Sequence, residues 1–281
     1  MDQPENIVVV FDAVRPDAGS AGSATGGDVA RVTEALAATH EIVELAGFRE
    51  RSPAEHGLAL LTFDGGLRSQ LACAAELDRL GLRGVFFAPM RPIASEADGW
   101  CTPHLLHALA FRLGWGSLRV EMERRLGLGP LGGSDAAHDA IAQSLLELVI
   151  SSLEADAAGG VLRDLASETG LDHRAWYMDA DDLIALQDAG HAVGSMGYDL
   201  VPPASLGEGD QLEDLLLAHH WVTSILGEAT RPMAMPLGRR DAHAEQVARR
   251  LGHVPILGPG DRIPATDIPA LCAARAAALA M

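Results

Sequence analysis

The chain has 281 residues, of which 48% are hydrophobic, and a formal charge of −18 at pH 7. This length and apolar content suit one large α/β domain with a full core. The negative charge argues against nucleic acid and other polyanions as partners, because like charges repel. All 21 basic residues are arginine, which excludes chemistry that needs a lysine nucleophile or Schiff base.

The N-terminal segment and the cysteines predict a cytoplasmic protein. The start is acidic and its apolar run, residues 7–11, is too short for a signal peptide. No stretch approaches the run of about 18 apolar residues that a membrane span requires. Cys73, Cys101 and Cys272 are odd in number and widely spaced, which favours packed thiols over a disulfide or a metal site. This location would exclude cell-wall and extracellular glycans as substrates.

The first half of the chain predicts alternating strands and helices. Residues 7–11 read as a buried strand, and residues 29–45 as a helix that leads into a second strand. Residues 58–63 predict the next strand, and residues 67–80 carry apolar side chains near helical spacing. Residues 85–88 predict the strand after it. The last three segments form a βαβ unit.

Asp64 lies at the strand-to-helix turn of this unit, where catalytic residues of α/β folds gather. Its carboxyl group is a candidate general base or acid, because burial without a nearby cation raises the pKa of a carboxyl group. The alternative is a structural role, in which Asp64 binds backbone amides of the following Gly65-Gly66 turn.

Amphipathic patterns from about residue 97 to residue 177 predict a helical insertion. His104 and His107, three residues apart, share a helix face, but no third metal ligand accompanies them, so packing or capping is the preferred interpretation. Further helices are predicted after residue 178 and over residues 210–226, and the alanine-rich residues 270–281 predict a final helix or a frayed end.

Three short motifs resemble those of the polysaccharide deacetylases, the NodB-homology family of carbohydrate esterases. The first is Thr-Phe-Asp-Gly-Gly, residues 62–66, where the family has Thr-Phe-Asp-Asp-Gly. The resemblance makes Asp64 the counterpart of the family's general base. Gly65 stands where the family has a metal-binding aspartate.

The second motif runs from Ser195 to Leu200, where the family has Ser-His-x-x-x-His. Met196 and Leu200 stand at the positions of the two metal-binding histidines. A thioether and an aliphatic side chain are not ligands for Zn²⁺, Co²⁺ or Mg²⁺. Tyr198 and Asp199 lie between these positions and are weak catalytic candidates, with Ser195 as a further pocket residue.

The third motif, Met-Ala-Met-Pro-Leu-Gly at residues 233–238, resembles the family's Phe-Ala-Tyr-Pro-Tyr-Gly segment. Leu237 replaces a tyrosine whose backbone N–H helps to bind the oxyanion in the family. Arg231 lies three residues before the position of the family's arginine, Ala234. Arg68, after the first motif, is the other cationic candidate for the pocket.

The resemblance covers nearly the whole chain and implies a single domain, residues 1–281, with a deformed (β/α)7–8 TIM-like barrel and the helical insertion. It implies hydrolysis of an N-acyl C–N bond or an ester of a sugar or small metabolite. With all three ligand positions changed, we expect no metal and no other cofactor at this site.

Two functions remain open from the sequence. One is metal-independent acid/base chemistry through Asp64 on a small cytosolic metabolite or sugar-derived substrate. The other is a catalytically inactive pseudoenzyme that binds a ligand or a partner enzyme. The polarity of the site around Asp64 distinguishes them: a closed apolar site favours the second, and polar groups that converge on Asp64 favour the first.

Overall fold

The computed structural model describes residues 4–12, 25–95, 98–127, 155–227, 230–236, 241–256 and 262–264. Eight strands form one parallel sheet in the order β7-β6-β5-β4-β3-β1-β8, with β2 beside β3. The strands are β1 (Ile7–Asp12), β2 (Glu41–Ile42), β3 (Leu58–Asp64), β4 (Val85–Ala88), β5 (Ala192–Ser195), β6 (Arg231–Ala234), β7 (His253–Ile256) and β8 (Arg262–Pro264). The sheet curls into a half-barrel with helices around it, which confirms the predicted barrel-type α/β fold.

The helices connect successive strands and cover the sheet. They are α1 (Gly26–Ala37), α2 (Leu45–Arg51), α3 (Gln70–Leu80), α4 (Arg91–Ala94), α5 (Thr102–Leu113), α6 (Trp115–Leu126), α7 (Ala155–Thr169), α8 (Ala180–Asp188), α9 (Glu208–Leu226) and α10 (Ala242–Arg250). None of these helices in the described part of the chain has the length and apolar character to cross a membrane.

Alternation along the strands separates two apolar layers. In β3, Leu58 and Leu60 belong to the cluster inside the barrel, whereas Ala59, Leu61 and Phe63 pack toward the surrounding helices. Successive side chains of a strand point to opposite faces, so Asp64 shares the inner face with Leu58 and Leu60. As the last residue of β3, it lies at the carboxyl end of the sheet.

A stack of three phenylalanines joins the central strands on the outer face. The ring of Phe63 lies between those of Phe11 and Phe86, with centroid distances of 4.7 Å and 4.5 Å. These rings come from β1, β3 and β4, and all three are almost completely buried. The stack therefore fixes the spacing of the strands next to Asp64.

The helices between β4 and β5 have an apolar cluster of their own. Leu105, Leu109, Leu118 and Leu162 are buried within it, contributed by α5, α6 and α7. Leu67, from the turn after β3, also packs in this cluster. The segment predicted as a helical insertion thus packs directly beside the turn that carries Asp64.

Two predicted boundaries differ from the structure, and some predictions lie outside the described residues. The helix expected from residue 67 begins at Gln70, because Leu67 pairs with Tyr177 in an isolated antiparallel bridge. The helix expected from residue 210 begins at Glu208. Leu237, Cys272 and the predicted helix over residues 270–281 are outside the described part of the chain.

Removal of the Phe63 ring, the central ring of the stack, should destabilise the protein. The Phe63→Ala variant removes a fully buried side chain from between two others, and we expect the free energy of unfolding to fall by about 3–5 kcal/mol. The matched control is Phe111→Ala on α5, whose side chain is 62% exposed and should cost less than about 1 kcal/mol. Urea unfolding measures both, and equal losses would contradict the assigned role of the stack.

Candidate functional site

The turn after β3 is held by a buried glutamine. Asp64 is 7% exposed, and its backbone carbonyl accepts a hydrogen bond from Nε2 of Gln70 at 2.6 Å. Oε1 of Gln70 accepts the N–H of Leu67 at 3.2 Å. The strand register also pairs Asp12, the last residue of β1, with Asp64. The motif reasoning missed Gln70 and Asp12, because neither belongs to the five-residue motif Thr-Phe-Asp-Gly-Gly.

Gly65 adopts a backbone conformation that favours glycine. Its φ is 106°, and its N–H donates to the carbonyl of Phe87 on β4 at 3.0 Å. An aspartate here would be strained, because L-residues with a side chain rarely adopt this φ. The position that the resemblance pairs with a metal-binding aspartate is therefore built for glycine in this chain.

Met196 and Leu200 are buried among apolar side chains. They are 3% and 4% exposed and share one cluster with Phe87, Cys101 and Ala234. Leu200 has a φ of 56° and is the one non-glycine residue with positive φ in the described part of the chain. Leucine rarely adopts this conformation, whereas histidine is among the residues enriched there. The backbone at Leu200 therefore has a conformation that suits histidine better than leucine.

Tyr198 and Asp199 interact with Arg91, from the start of α4. The carboxylate of Asp199 pairs with the Arg91 guanidinium, with distances of 2.6 Å to Nε and 2.8 Å to Nη2. The guanidinium lies 5.3 Å from the centroid of the Tyr198 ring, and the Arg91 N–H donates to the Tyr198 carbonyl at 2.8 Å. Burial raises the pKa of Asp199, and the adjacent arginine opposes this effect. These contacts therefore attach both candidates to α4.

Asp214, from α9, binds the same loop from the other side. Its carboxylate accepts the N–H of Tyr198 at 3.1 Å and the N–H of Asp199 at 3.1 Å. Burial raises the pKa of Asp214 to about 6, although these backbone donors favour the ionised form. Motif reasoning missed this residue, since it lies inside a helix with no local signal of its role.

Two further polar candidates, Ser195 and Arg68, make contacts of their own. Ser195 is buried, and its Oγ accepts the N–H of Gly197 at 3.1 Å. Arg68 pairs with Asp179 at 2.9 Å and with Asp182 at 3.2 Å, at the start of α8.

Arg231 lies on the strand face that packs against the surrounding helices. It is the first residue of β6 and shares a strand face with Met233, which packs in a cluster with residues of α9 and α10. Its guanidinium donates to Oε1 of Gln187 at 2.6 Å and to the carbonyl of Leu226. These contacts attach the Arg231 side chain to α8 and α9, and its place in the pocket remains a prediction.

A buried polar chain links the barrel interior to α5. Nδ1 of His104 lies 2.8 Å from the Tyr177 hydroxyl, which also accepts the N–H of Cys101 at 3.4 Å. Burial lowers the pKa of His104 to about 3, so its imidazole is neutral at pH 7. Burial also raises the pKa of the Cys101 thiol well above its usual value, which makes it unreactive.

The second histidine of the insertion has a different neighbour. His107 packs edge-on against Trp115, with ring centroids 5.4 Å apart. The two histidines therefore contact different aromatic side chains, Tyr177 for His104 and Trp115 for His107.

The donor set does not fit a divalent metal ion of the deacetylase type. Glycine, methionine and leucine occupy the three corresponding positions, and none of them supplies a hard or borderline ligand. Within the described ranges, no group of three or more histidine, cysteine, aspartate or glutamate side chains is placed to hold a metal ion.

Comparison with known proteins places the fold. Residues 161–256 match the family model for polysaccharide deacetylases, a span that includes the second and third motifs but not the first. No curated protein sequence matches the chain.

Solved structures of deacetylases superpose over almost the whole chain. IcaB from Ammonifex degensii has a TM-score of 0.53 at 14% identity and covers 96% of each chain. The BpsB deacetylase domain from Bordetella bronchiseptica has a TM-score of 0.53 at 14% identity and covers 93% of this chain and 94% of that one. The Streptococcus pyogenes deacetylase PplD, in complex with acetate, has a TM-score of 0.51 at 9% identity and covers 92% of each.

The chain therefore has the polysaccharide deacetylase fold of the NodB type, and its family-model match agrees with the resemblance in its motifs.

The raised pKa of Asp214 predicts the direction in which the free energy of unfolding changes with pH. The folded protein binds this proton more tightly than the unfolded chain, so the resulting stability is present below about pH 4 and is lost as the pH rises through about 6. Asp214→Asn removes the titration. We expect the free energy of unfolding of the wild type, relative to this variant, to fall by up to about 3 kcal/mol across that window.

Urea unfolding at several pH values measures this difference. The control variant Asp210→Asn removes an exposed carboxyl group one turn earlier on α9 and reports the effect of losing one surface charge. If the difference in free energy of unfolding between the wild type and Asp214→Asn does not change with pH, the buried carboxyl group has the same pKa in the folded and unfolded states.

Proposed function

We propose that this protein is a deacetylase-fold pseudoenzyme that binds a ligand or a partner enzyme and does not carry out metal-dependent deacetylation. The observation that supports this proposal is the burial of Met196 and Leu200 in one apolar cluster with Cys101 and Ala234. A site lined in this way resembles a packed core more than a hydrolytic centre.

The chemistry of deacetylation explains why this substitution matters. A bound metal lowers the pKa of water from 15.7 to about 7 and polarises the acyl oxygen, so it supplies both the nucleophile and charge stabilisation. An open catalytic site needs about three protein ligands. Gly65, Met196 and Leu200 contribute no such ligand, and the φ of 106° at Gly65 would strain an aspartate placed there.

A second candidate is metal-independent acid/base chemistry through Asp64. Its support is a carboxyl group that faces the barrel interior at the carboxyl end of β3 and is 7% exposed. We rank it second because Tyr198 and Asp199, its proposed companions, bind Arg91 and Asp214. In either case the charge of −18 favours a neutral or cationic small molecule over an anionic polymer. We further propose a cytoplasmic, single-domain protein over residues 1–281.

An activity assay distinguishes these two functions from ordinary deacetylation. The purified protein is incubated with an acetyl ester or an N-acetylated sugar oligomer, with added Zn²⁺ or Co²⁺ or with a chelator. We expect acetate release no faster than that of the Asp64→Asn variant under every condition, and no stoichiometric metal by elemental analysis. Metal-dependent release that Asp64→Asn abolishes would refute the proposal. Release that persists with chelator but is lost in Asp64→Asn would establish the second candidate.

The three altered positions can also be tested by reversal. We expect the Gly65→Asp, Met196→His, Leu200→His triple variant to bind Zn²⁺ or Co²⁺ more tightly than the parent, because two imidazoles and one carboxylate form an open three-ligand site. The left-handed backbone at Leu200 tolerates histidine, whereas the φ of 106° at Gly65 limits the gain.

Calorimetric titration of the variant and the parent measures the difference, with the double variant Met196→His, Leu200→His as the control for the strained aspartate. If both folded variants bind no more tightly than the parent, the correspondence of these positions with the family's ligands is wrong.

A further inference from the structure

We propose that the loop after β5, residues 196–200, is an electrostatically held latch that keeps the barrel interior closed, with Asp214 and the Arg91–Asp199 pair as its two holding points. In a metal enzyme the ion itself organises the loop that carries its ligands. Here an anionic side chain and an ion pair, both from the protein, contact the loop instead. The latch concerns access to the interior and does not depend on whether the site turns over a substrate.

The first holding point is a carboxylate aimed at backbone amides. Asp214 accepts hydrogen bonds from two successive N–H groups, those of Tyr198 and Asp199, at 3.1 Å each. Hydrogen bonds to an ionised acceptor are stronger than neutral ones. Gly197 makes the approach possible, because a Cβ there would lie 2.6 Å from Oδ2 of Asp214. Substitution of Gly197 and loss of Asp214 would therefore disturb the same contact.

The second holding point lies on the opposite side, where the chain leaves β4. The N–H of Met90 donates to the Gly197 carbonyl at 3.2 Å, and the N–H of Arg91 donates to the Tyr198 carbonyl at 2.8 Å. The Arg91 side chain then pairs with Asp199 through two nitrogens. The loop is thus bound through its N–H groups to α9 and through its carbonyls to the segment before α4.

The loop stores strain that these contacts offset. Leu200 is held at a φ of 56°, a conformation that a leucine persists in only when its surroundings impose it. The same residue is 4% exposed and packs in the cluster that contains Met196 and Cys101. Release of the holding contacts would let Leu200 relax and leave the cluster, and this movement would expose Cys101.

Cysteine labelling tests the latch, because the two described thiols report on different parts of the core. Cys101 lies in the cluster under the loop, and Cys73 lies in the cluster between the sheet and the outer helices; both are 0% exposed. In a Cys272→Ser background, the protein is pulsed with N-ethylmaleimide at neutral pH. Peptide mass spectrometry then gives the labelling rate of each thiol.

We expect Asp214→Ala to raise the labelling rate of Cys101 by about tenfold or more, with Cys73 unchanged, since each lost hydrogen bond to a charged group favours local opening. Asp214→Asn retains one acceptor oxygen and should stay within about threefold of the wild type. Asp210→Ala, an exposed charge loss one turn earlier on α9, should change neither rate.

Hydrogen exchange gives a second measurement that does not depend on the thiols. In Asp214→Ala the amides of Tyr198 and Asp199 should lose protection, while amides of β3 keep theirs. The latch is refuted if Asp214→Ala leaves both the Cys101 rate and these two amides unchanged. It is also refuted if Cys73 and Cys101 accelerate together, because that result indicates global unfolding.

Discussion

Burial of both faces of the parallel strands is the constraint on which the rest of the structure depends. In β3 every residue from Leu58 to Asp64 is buried, and the alternation of side chains sends one set into the barrel and the other toward the helices. A shift of one residue would exchange the two sets. The Phe11, Phe63 and Phe86 stack fixes the outer set, so Asp64 remains on the inner face at the carboxyl end.

Core packing and metal binding make different demands on the sequence of this fold. Core packing requires only apolar side chains of suitable volume at alternate positions, and many sequences meet that requirement. Superposition with deacetylase structures over more than nine-tenths of the chain at 14% identity or less fits this view. Metal binding requires specific donor atoms at about three positions. A methionine or leucine at such a position fills space but provides no ligand for a hard or borderline metal ion.

Charged side chains bind the loop between β5 and α9. They are Asp214, Asp199 and Arg91, and Asp214 accepts hydrogen bonds from backbone N–H groups of the loop. The pKa of Asp214 is raised because burial removes its charge from water. Leu200, at the end of the same loop, is buried in the apolar cluster of the barrel interior.

The sequence by itself determined the first four strands, the helix ends at Leu80 and Leu226 and the position of Asp64, because apolar periodicity acts over a few neighbouring positions. It also determined which side chains stand at the three motif positions. Only the tertiary structure decided that the Arg231 guanidinium contacts Gln187 and Leu226 and that Asp214 contacts residues 198 and 199. Such contacts depend on how α8 and α9 pack against the sheet, and this packing leaves no local pattern in the sequence. The φ of Leu200 belongs to the same group, since leucine adopts it only when long-range packing imposes it.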